Sequence, residues 1–483
     1  MRSVHNMGKI VLTNKQKECV KHPPKNNLLV QGIDGSGKSL VLINRAAYLQ
    51  NKAKELGGNV GIALFTYVNS LVRYTREVAD TLGDDTSDIN ITTIDKQAFS
   101  CYRDMFGYTK IEYEFDRNLL DEITNRLAKN DSNRFLKPEL RDFLVDEINW
   151  IKGRSIASSQ EYENCIRYGR GSGKGSIRPS KAERQLIYQI FSRYDSTKKF
   201  MSPDDMYEKI LANSESIPEK YKYDFVMLDE SQDLSLNKLK YAKAVTRKSL
   251  TIAGDQNQKI YKSGFTWKEI GIDIKGQSSK KLTGTFRNTY EVAVLANKML
   301  SYNSDREAER DEYVEPELPE RHGPKPQLIY ETSYGQEAID ICQLIREEFK
   351  ANPSRTVGIL VMTWKERVDI TKALKQGGIS YGIIDNKSET KVLEPGVKIV
   401  TIHSSKGLEF DTVILPYLDD GRFPSNEKNA SRDEAEDVLN YARNLLYVAM
   451  TRAKSTLYMY TLRGKESLLI EDLDEDLMDV HQH

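Results

Sequence analysis

Residues Gly32-Ile33-Asp34-Gly35-Ser36-Gly37-Lys38-Ser39 fit the pattern G-x-x-x-x-G-K-[ST] in full. The glycines let the backbone curl until its N–H groups point inward, a shape that holds phosphate oxygens. Lys38 adds a point charge for β- and γ-phosphates, and the Ser39 hydroxyl is a Mg²⁺ ligand. A helix beginning here turns its positive end toward the same anion. Asp34 sets a carboxylate inside the loop. Farther along, the apolar run Tyr223–Leu228 leads into Asp229-Glu230-Ser231-Gln232-Asp233. Carboxylates at the C-terminal end of a parallel strand face the crevice where such sheets bind ligands. Asp229 there suits Mg²⁺, held through water, and Glu230 is placed to orient and deprotonate an attacking water. Taken alone, an acidic pair after a strand is more often an exposed turn; the phosphate loop gives it its meaning.

The elements that must hold these residues are legible around them. Asn27–Gln31 is an apolar run stopping at Gly32, and it reads as a buried parallel strand. Leu40–Leu56 carries apolar residues at helical spacing, and Val60–Phe65 reads as a second buried strand. Strand, helix, strand is the opening of a doubly wound α/β domain. From about residue 91 to 201 the pattern turns to long polar, helical stretches, and α/β character returns with Tyr223–Leu228 and Leu250–Ala253. The stretch 303–326 is acidic, holds four of the fourteen prolines, and reads as a linker. Beyond it Val357–Met362, Val397–Ile402, Thr412–Pro416 and Thr456–Tyr460 are strand candidates separated by helical segments. The expected organisation is a first α/β domain from 1–96 and 201–285, a mainly helical insertion at 97–200, and a second α/β domain at 286–470. The acidic tail from 471 to 483 is expected to be frayed or solvated.

At 483 residues, 39% hydrophobic and 29% charged, the chain has the profile of a globular protein of several domains and not of a disordered one. Four distant cysteines without a C-x-x-C pair exclude a zinc ribbon or a disulfide framework. No apolar run reaches the ~18–20 residues of a membrane helix. MRSVHNMGKI lacks the apolar core of a signal peptide, so a reducing, cytoplasmic setting without a membrane is expected. The 71 Lys and Arg are matched by 71 Asp and Glu, which excludes a uniformly basic surface and confines any nucleic-acid-binding charge to one groove. Gly169–Gly175 resembles the phosphate loop superficially but follows no strand. It reads as a flexible basic loop, with Arg167, Arg170, Lys174 and Arg178 a minority candidate for contacts to a nucleic-acid backbone.

In motif order along nearly its full length, the chain resembles superfamily 1 helicases of the UvrD/Rep/PcrA type. Leu12-Thr13-Asn14-Lys15-Gln16 is similar to the adenine-reading element, Gly254–Tyr261 to the motif sensing the γ-phosphate through Gln258, and Thr285-Phe286-Arg287 to an adenine-stacking aromatic followed by an arginine finger. Thr401–Phe410 resembles the motif coupling nucleotide to strand, with Gly407 and with Glu409 near the ribose. Tyr447–Ala453 resembles the last motif, whose Arg452 reaches the γ-phosphate, and Gly421-Arg422-Phe423-Pro424 has its counterpart as well. The resemblance implies two RecA-like parallel-sheet motor domains of the P-loop NTPase class, ATP with Mg²⁺, and a single-stranded DNA partner. It also implies a strand path over Phe65, Thr66, Thr93, Tyr261, Trp267, Trp364 and His403. Phe65 ends a buried strand and is either core or platform, and Trp267 and Trp364 divide evenly between the same two roles.

Departures accompany the resemblance. Ile94-Asp95 follows Thr93 where the family has Phe-His, and Ser263 stands where it has a tryptophan. Between Trp364 and Val397 there is room for a helix, a strand and a loop only, so the family's large inserted subdomain is missing. The expected activity is ATP-dependent translocation on single-stranded DNA, 3′ to 5′, with unwinding less secure. Alternatives are an ATPase subunit driving a partner nuclease in repair or anti-phage defence, a nucleotide-switched binding module, and RNA in place of DNA. Lys38→Ala or Glu230→Gln is expected to abolish ATP hydrolysis and leave strand binding largely intact. Wild-type turnover by Glu230→Gln in a steady-state assay would remove Glu230 from the role of general base.

Overall fold

The computed structural model describes residues 12–33, 35–82, 88–167, 177–255, 267–270, 278–303, 317–385, 388, 390–423 and 432–482. Among them, strands form two sheets, parallel throughout. The first contains β1 (Leu28–Gly32), β2 (Ile62–Thr66), β3 (Ile89–Thr93), β4 (Tyr223–Leu228), β5 (Thr246–Gly254) and β6 (Ser279–Leu282), in the order β3-β2-β4-β5-β1-β6. The second contains β7 (Gln327–Glu331), β8 (Thr356–Val361), β9 (Tyr381–Ile383), β10 (Gly396–Thr401), β11 (Phe410–Leu415), β12 (Ala453–Leu462) and β13 (Asp479–Gln482), in the order β13-β7-β12-β11-β8-β10-β9. The two-domain α/β class expected from the sequence is the class observed.

Continuous apolar strands follow from burial on both faces. Leu28 and Val30 of β1 enter one core and Leu29 the other, as a period of two requires; Val413 and Leu415 likewise oppose Ile414 on β11. Because the strands are parallel, the C-terminal ends of β1, β2, β4, β5 and β6 share one edge. The segments after them (33–39, 67–69, 229–233, 255 and 283–287) are therefore brought together from distant parts of the sequence.

Between β3 and β4 a helical unit holds its own core, from Leu120 to Tyr194. The sequence reading starts this insertion at residue 97. The helix Ile94–Phe106 instead packs through Ile94, Ala98, Cys101 and Tyr102 into the core of the first sheet, together with Met206, Tyr207 and Ile210 of the helix Pro203–Ala212. The tail also departs from the expectation. Asp479–Gln482 pairs with β7, Asp479 N–H donates to the Pro326 carbonyl at 2.9 Å, and Leu473 and Met478 are buried. Two apolar anchors inside an acidic segment are enough to dock it as an edge strand. Part of the expected linker, residues 304–316, and the whole of the Gly169–Gly175 loop, within 168–176, lie outside the described residues. No described helix is long and apolar enough to cross a membrane.

Arg45, wholly buried on the helix Lys38–Glu55, ties the N-terminal helix Asn14–Val20 to the first sheet. Its Nη1 donates to the carbonyls of Cys19, Val20 and His22, and its Nε to Thr251 Oγ1 on β5. Burial lowers its pKa to about 10, and carbonyl dipoles stand in for a carboxylate partner. Arg45→Ala leaves three carbonyls without their donor and is expected to cost about 3 kcal/mol of stability, read by chemical denaturation. A loss below about 1 kcal/mol would show that the tie carries no weight.

Candidate nucleotide site and strand path

The phosphate loop is shaped by backbone that only glycine adopts easily. Gly35 and Gly37 have φ of 68° and 80°; a Cβ on Gly37 would meet Gln16 Nε2 at 2.5 Å, and one on Gly35 would meet Thr285 Oγ1 at 2.7 Å. Gly37 occupies the N-cap of the helix Lys38–Glu55 without a capping side chain, so the helix opens with its N–H groups toward the loop. Lys38 is 6% exposed; its Nζ donates to the Gly32 and Ile33 carbonyls at 3.0 Å each and lies 3.9 Å from Asp255. The Ser39 hydroxyl donates to Asp229 Oδ2 at 2.5 Å. Gln16 braces the loop: its Nε2 donates to the Ser36 carbonyl at 2.9 Å, while its Oε1 accepts from Thr13 N–H in a capping box. Asp34 lies outside the described residues.

The acidic segment follows β4 directly. Asp229 N–H bonds the Phe65 carbonyl at 3.0 Å, which ties this segment to the end of β2. Burial, then the charge of Glu230, pushes the Asp229 carboxyl up; Ser39 and Lys38 oppose this. Glu230 takes φ of 51°, a left-handed conformation for a residue with a side chain, and its carboxylate accepts from Gln232 Nε2 at 2.6 Å. Gln232 also accepts from Asp255 N–H at 3.0 Å, so the ends of β4 and β5 are joined around Glu230.

Cations arrive from the far side. Phe286 N–H bonds the Gly35 carbonyl at 3.0 Å while its ring is 62% exposed, an aromatic face anchored at the loop. Next to it, the Arg287 Nε donates to Glu409 Oε2 at 2.9 Å. Burial alone would raise the Glu409 carboxyl; Arg287, Lys454 and Tyr74 outweigh it and hold Glu409 below the usual carboxylate range. Gly407, at φ of 75°, lies against Leu71. Arg452 is wholly buried, its Nε on the Val448 carbonyl at 2.8 Å and its Nη1 on the Leu408 carbonyl at 3.3 Å. Lys406 joins the site although the sequence alone does not mark it. Its Nζ lies 2.5 Å from Asp233 and 3.8 Å from Glu230, with 3% of the residue exposed. Lys406 sits inside the motif Thr401–Phe410, but its carboxylate partners belong to another sheet, and the sequence holds no sign of that pairing.

The strand candidates divide. Phe65 is 1% exposed, packed in the first core with its ring edge-on to Tyr223, centroids 6.0 Å apart. As the last apolar residue of a strand covered on both faces, it is core and offers no stacking platform. Thr66 is also buried, its hydroxyl on the Val68 carbonyl, and Thr93 caps the helix Ile94–Phe106. Asp95 is held by Lys238 and the Tyr207 hydroxyl, so its charge is neutralised locally. His403, partly exposed, bonds the Tyr441 hydroxyl through Nε2 at 2.7 Å; burial and Lys406 lower its pKa. Gln258 and Tyr261 lie outside the described residues, as do the side chains of Trp267 and Trp364.

Known proteins share this arrangement of motifs. Residues 12–267 match the family profile described as the UvrD/REP helicase N-terminal domain, and residues 384–464 match the one described as the UvrD-like helicase C-terminal domain. A Mycoplasma pneumoniae protein named "Probable DNA helicase" is 24% identical over 493 residues, spanning 93% of this chain and 83% of that protein. The ATP-dependent DNA helicase UvrD2 of Mycobacterium tuberculosis is 22% identical over 557 residues, spanning 92% and 77%. DNA helicase II of Rickettsia typhi is 36% identical over 98 residues, 19% of this chain and 15% of that protein. With its N-terminal profile alone taking in more than half of its length, the chain belongs to the UvrD/REP helicase family and is an ATP hydrolase of that family.

Proposed function

We propose that the chain is an ATP-driven translocase on single-stranded DNA, moving 3′ to 5′, in which ATP binding closes two motor domains and hydrolysis releases them. The observation that carries the proposal is the position of Arg287. It stands where the chain passes from β6 to the second sheet, beside Gly35 of the phosphate loop, and is paired with Glu409. An arginine so placed stabilises charge on a transferring phosphoryl group only when both domains are together. Closure therefore becomes the event that ATP controls.

The glycine cradle, Lys38 and the helix N-terminus fit a triphosphate, and the exposed Phe286 ring beside them fits an adenine face. Ser39 and Asp229, already in contact, would hold Mg²⁺, which neutralises phosphate charge when bound. The buried, raised carboxyl of Asp229 is the kind of group a divalent cation stabilises in its charged form. Glu230 takes the proton of the attacking water, while Gln232 fixes its carboxylate. Lys406, bridging Asp233 and Glu230, reports the position of the second domain to the same carboxylate.

DNA is favoured over RNA by the names of the relatives, which describe DNA helicases. ATP turnover titrated with single-stranded DNA, duplex DNA and RNA tests this: stimulation by single-stranded DNA is expected to exceed the others, and preference for RNA would contradict the reading. Arg287→Ala is expected to lower DNA-stimulated kcat about 1,000-fold with ATP binding largely retained. A loss under about tenfold would move the finger role elsewhere.

A further inference from the structure

The helix Asn69–Leu82 begins three residues after β2 and has two working faces. Val72 and Ala79 pack with Leu28 and Val30 of β1 in the core on the face of the first sheet opposite Phe65, and Arg76 Nη2 donates to the Ile91 carbonyl on β3, so the helix is fixed to the first sheet. Residues 70, 73, 74 and 77, spaced as one helical stripe, face the second sheet. The Ser70 hydroxyl donates to the Ser404 carbonyl at 2.9 Å, and Arg73 Nη2 to the Asp385 carbonyl at 2.9 Å. Tyr74 packs against the second core. Glu77 makes the densest contact: its carboxylate accepts Val392 N–H at 3.0 and 3.1 Å and Leu393 N–H at 2.8 Å.

The loop that supplies those two N–H groups belongs firmly to the second sheet. Val392 is wholly buried in its core, Ile384 is 2% exposed, and Asp385 is paired with Arg367 of the helix Trp364–Gln376. From this loop the chain enters β10, which leads straight to Lys406 and Glu409, two second-domain residues paired with groups at the nucleotide site. A buried strand is stiff, so fixing its N-terminal end fixes where its C-terminal end delivers those side chains. Two N–H groups of successive residues on one carboxylate are a charge-assisted pair, the strong kind of hydrogen bond.

We propose that Glu77 is a positioning residue for ATP hydrolysis, a clasp that holds the loop ahead of β10 and so sets Lys406 and Glu409 against Glu230 and Arg287. The inference rests on the ATP-driven reading above and names the contact through which closure is held. Glu77 lies outside the phosphate loop and the acidic segment after β4 and bonds backbone N–H groups of the second domain, so it acts through that domain's position.

The test compares Glu77→Ala and Glu77→Gln in the full chain, with saturating single-stranded DNA. Glu77→Ala is expected to lower kcat/KM for ATP about tenfold, because the competent closed arrangement is populated less. ADP affinity, which depends chiefly on the first domain, is expected to stay within about twofold, and Glu77→Gln, which keeps an acceptor, to recover at least about a third of wild-type kcat/KM. Unchanged kcat/KM in Glu77→Ala overturns the proposal. So does a parallel loss of ADP affinity, which would mean that Glu77 merely supports the first domain's fold. A wild-type chain without DNA-stimulated turnover would instead defeat the ATP-driven reading itself.

Discussion

The ion pair between Arg287 and Glu409 is the constraint on which the site depends. A phosphate loop surrounds its ligand from one side only, and the charge opposite must come from somewhere else. Arg287 reaches the loop through its own backbone neighbourhood at Gly35 while its guanidinium is held by a residue 122 positions away. The pair therefore fixes the second sheet relative to the first. On the other flank the buried Lys406–Asp233 contact does the same. Buried charges tolerate burial only when partnered, so moving one sheet away from the other strands Lys406 and Asp233 and breaks the partly buried Arg287–Glu409 pair.

Much of this was legible in the sequence, and the exceptions have a physical pattern. The strands read from apolar runs, such as Asn27–Gln31, Tyr223–Leu228 and Thr412–Pro416, all have neighbours on both sides. Five strands have no counterpart in that reading: β3, β6, β9 and β13 at the sheet edges, whose INITT, SKKL, YGI and DVHQ carry too little apolar pattern to stand out, and the interior β7, whose QLIYE directly follows the proline-containing stretch 303–326. The motif residues at strand ends were legible because phosphate chemistry demands particular residue types there. Phe65 was ambiguous because a ring at the end of a buried strand serves core and platform equally well until its neighbours are known. Lys406 and Glu77 act through partners far away in sequence, and no local pattern announces them.

The balance of 71 basic and 71 acidic residues also acquires a structural meaning. Cations near the site are largely committed inside the molecule: Lys238 to Asp95, Lys152 to Asp195, Asp205 and Glu208, Arg287 to Glu409, and Lys406 to Asp233. Such charges organise domains and contribute little long-range attraction. Under the proposed function, a strand-binding motor built this way would lean on shape and on nucleotide-controlled closure more than on a basic coating.

The central claim is that nucleotide state sets the separation of the two domains. Its most direct measurement is the distance between fluorophores at positions 56 and 339, both on the surface, with residue exposures of 81% and 61%, one in each domain. With single-stranded DNA present, a non-hydrolysable ATP analogue is predicted to shorten and narrow that distance distribution relative to ADP. The same distribution in both nucleotide states would contradict the account.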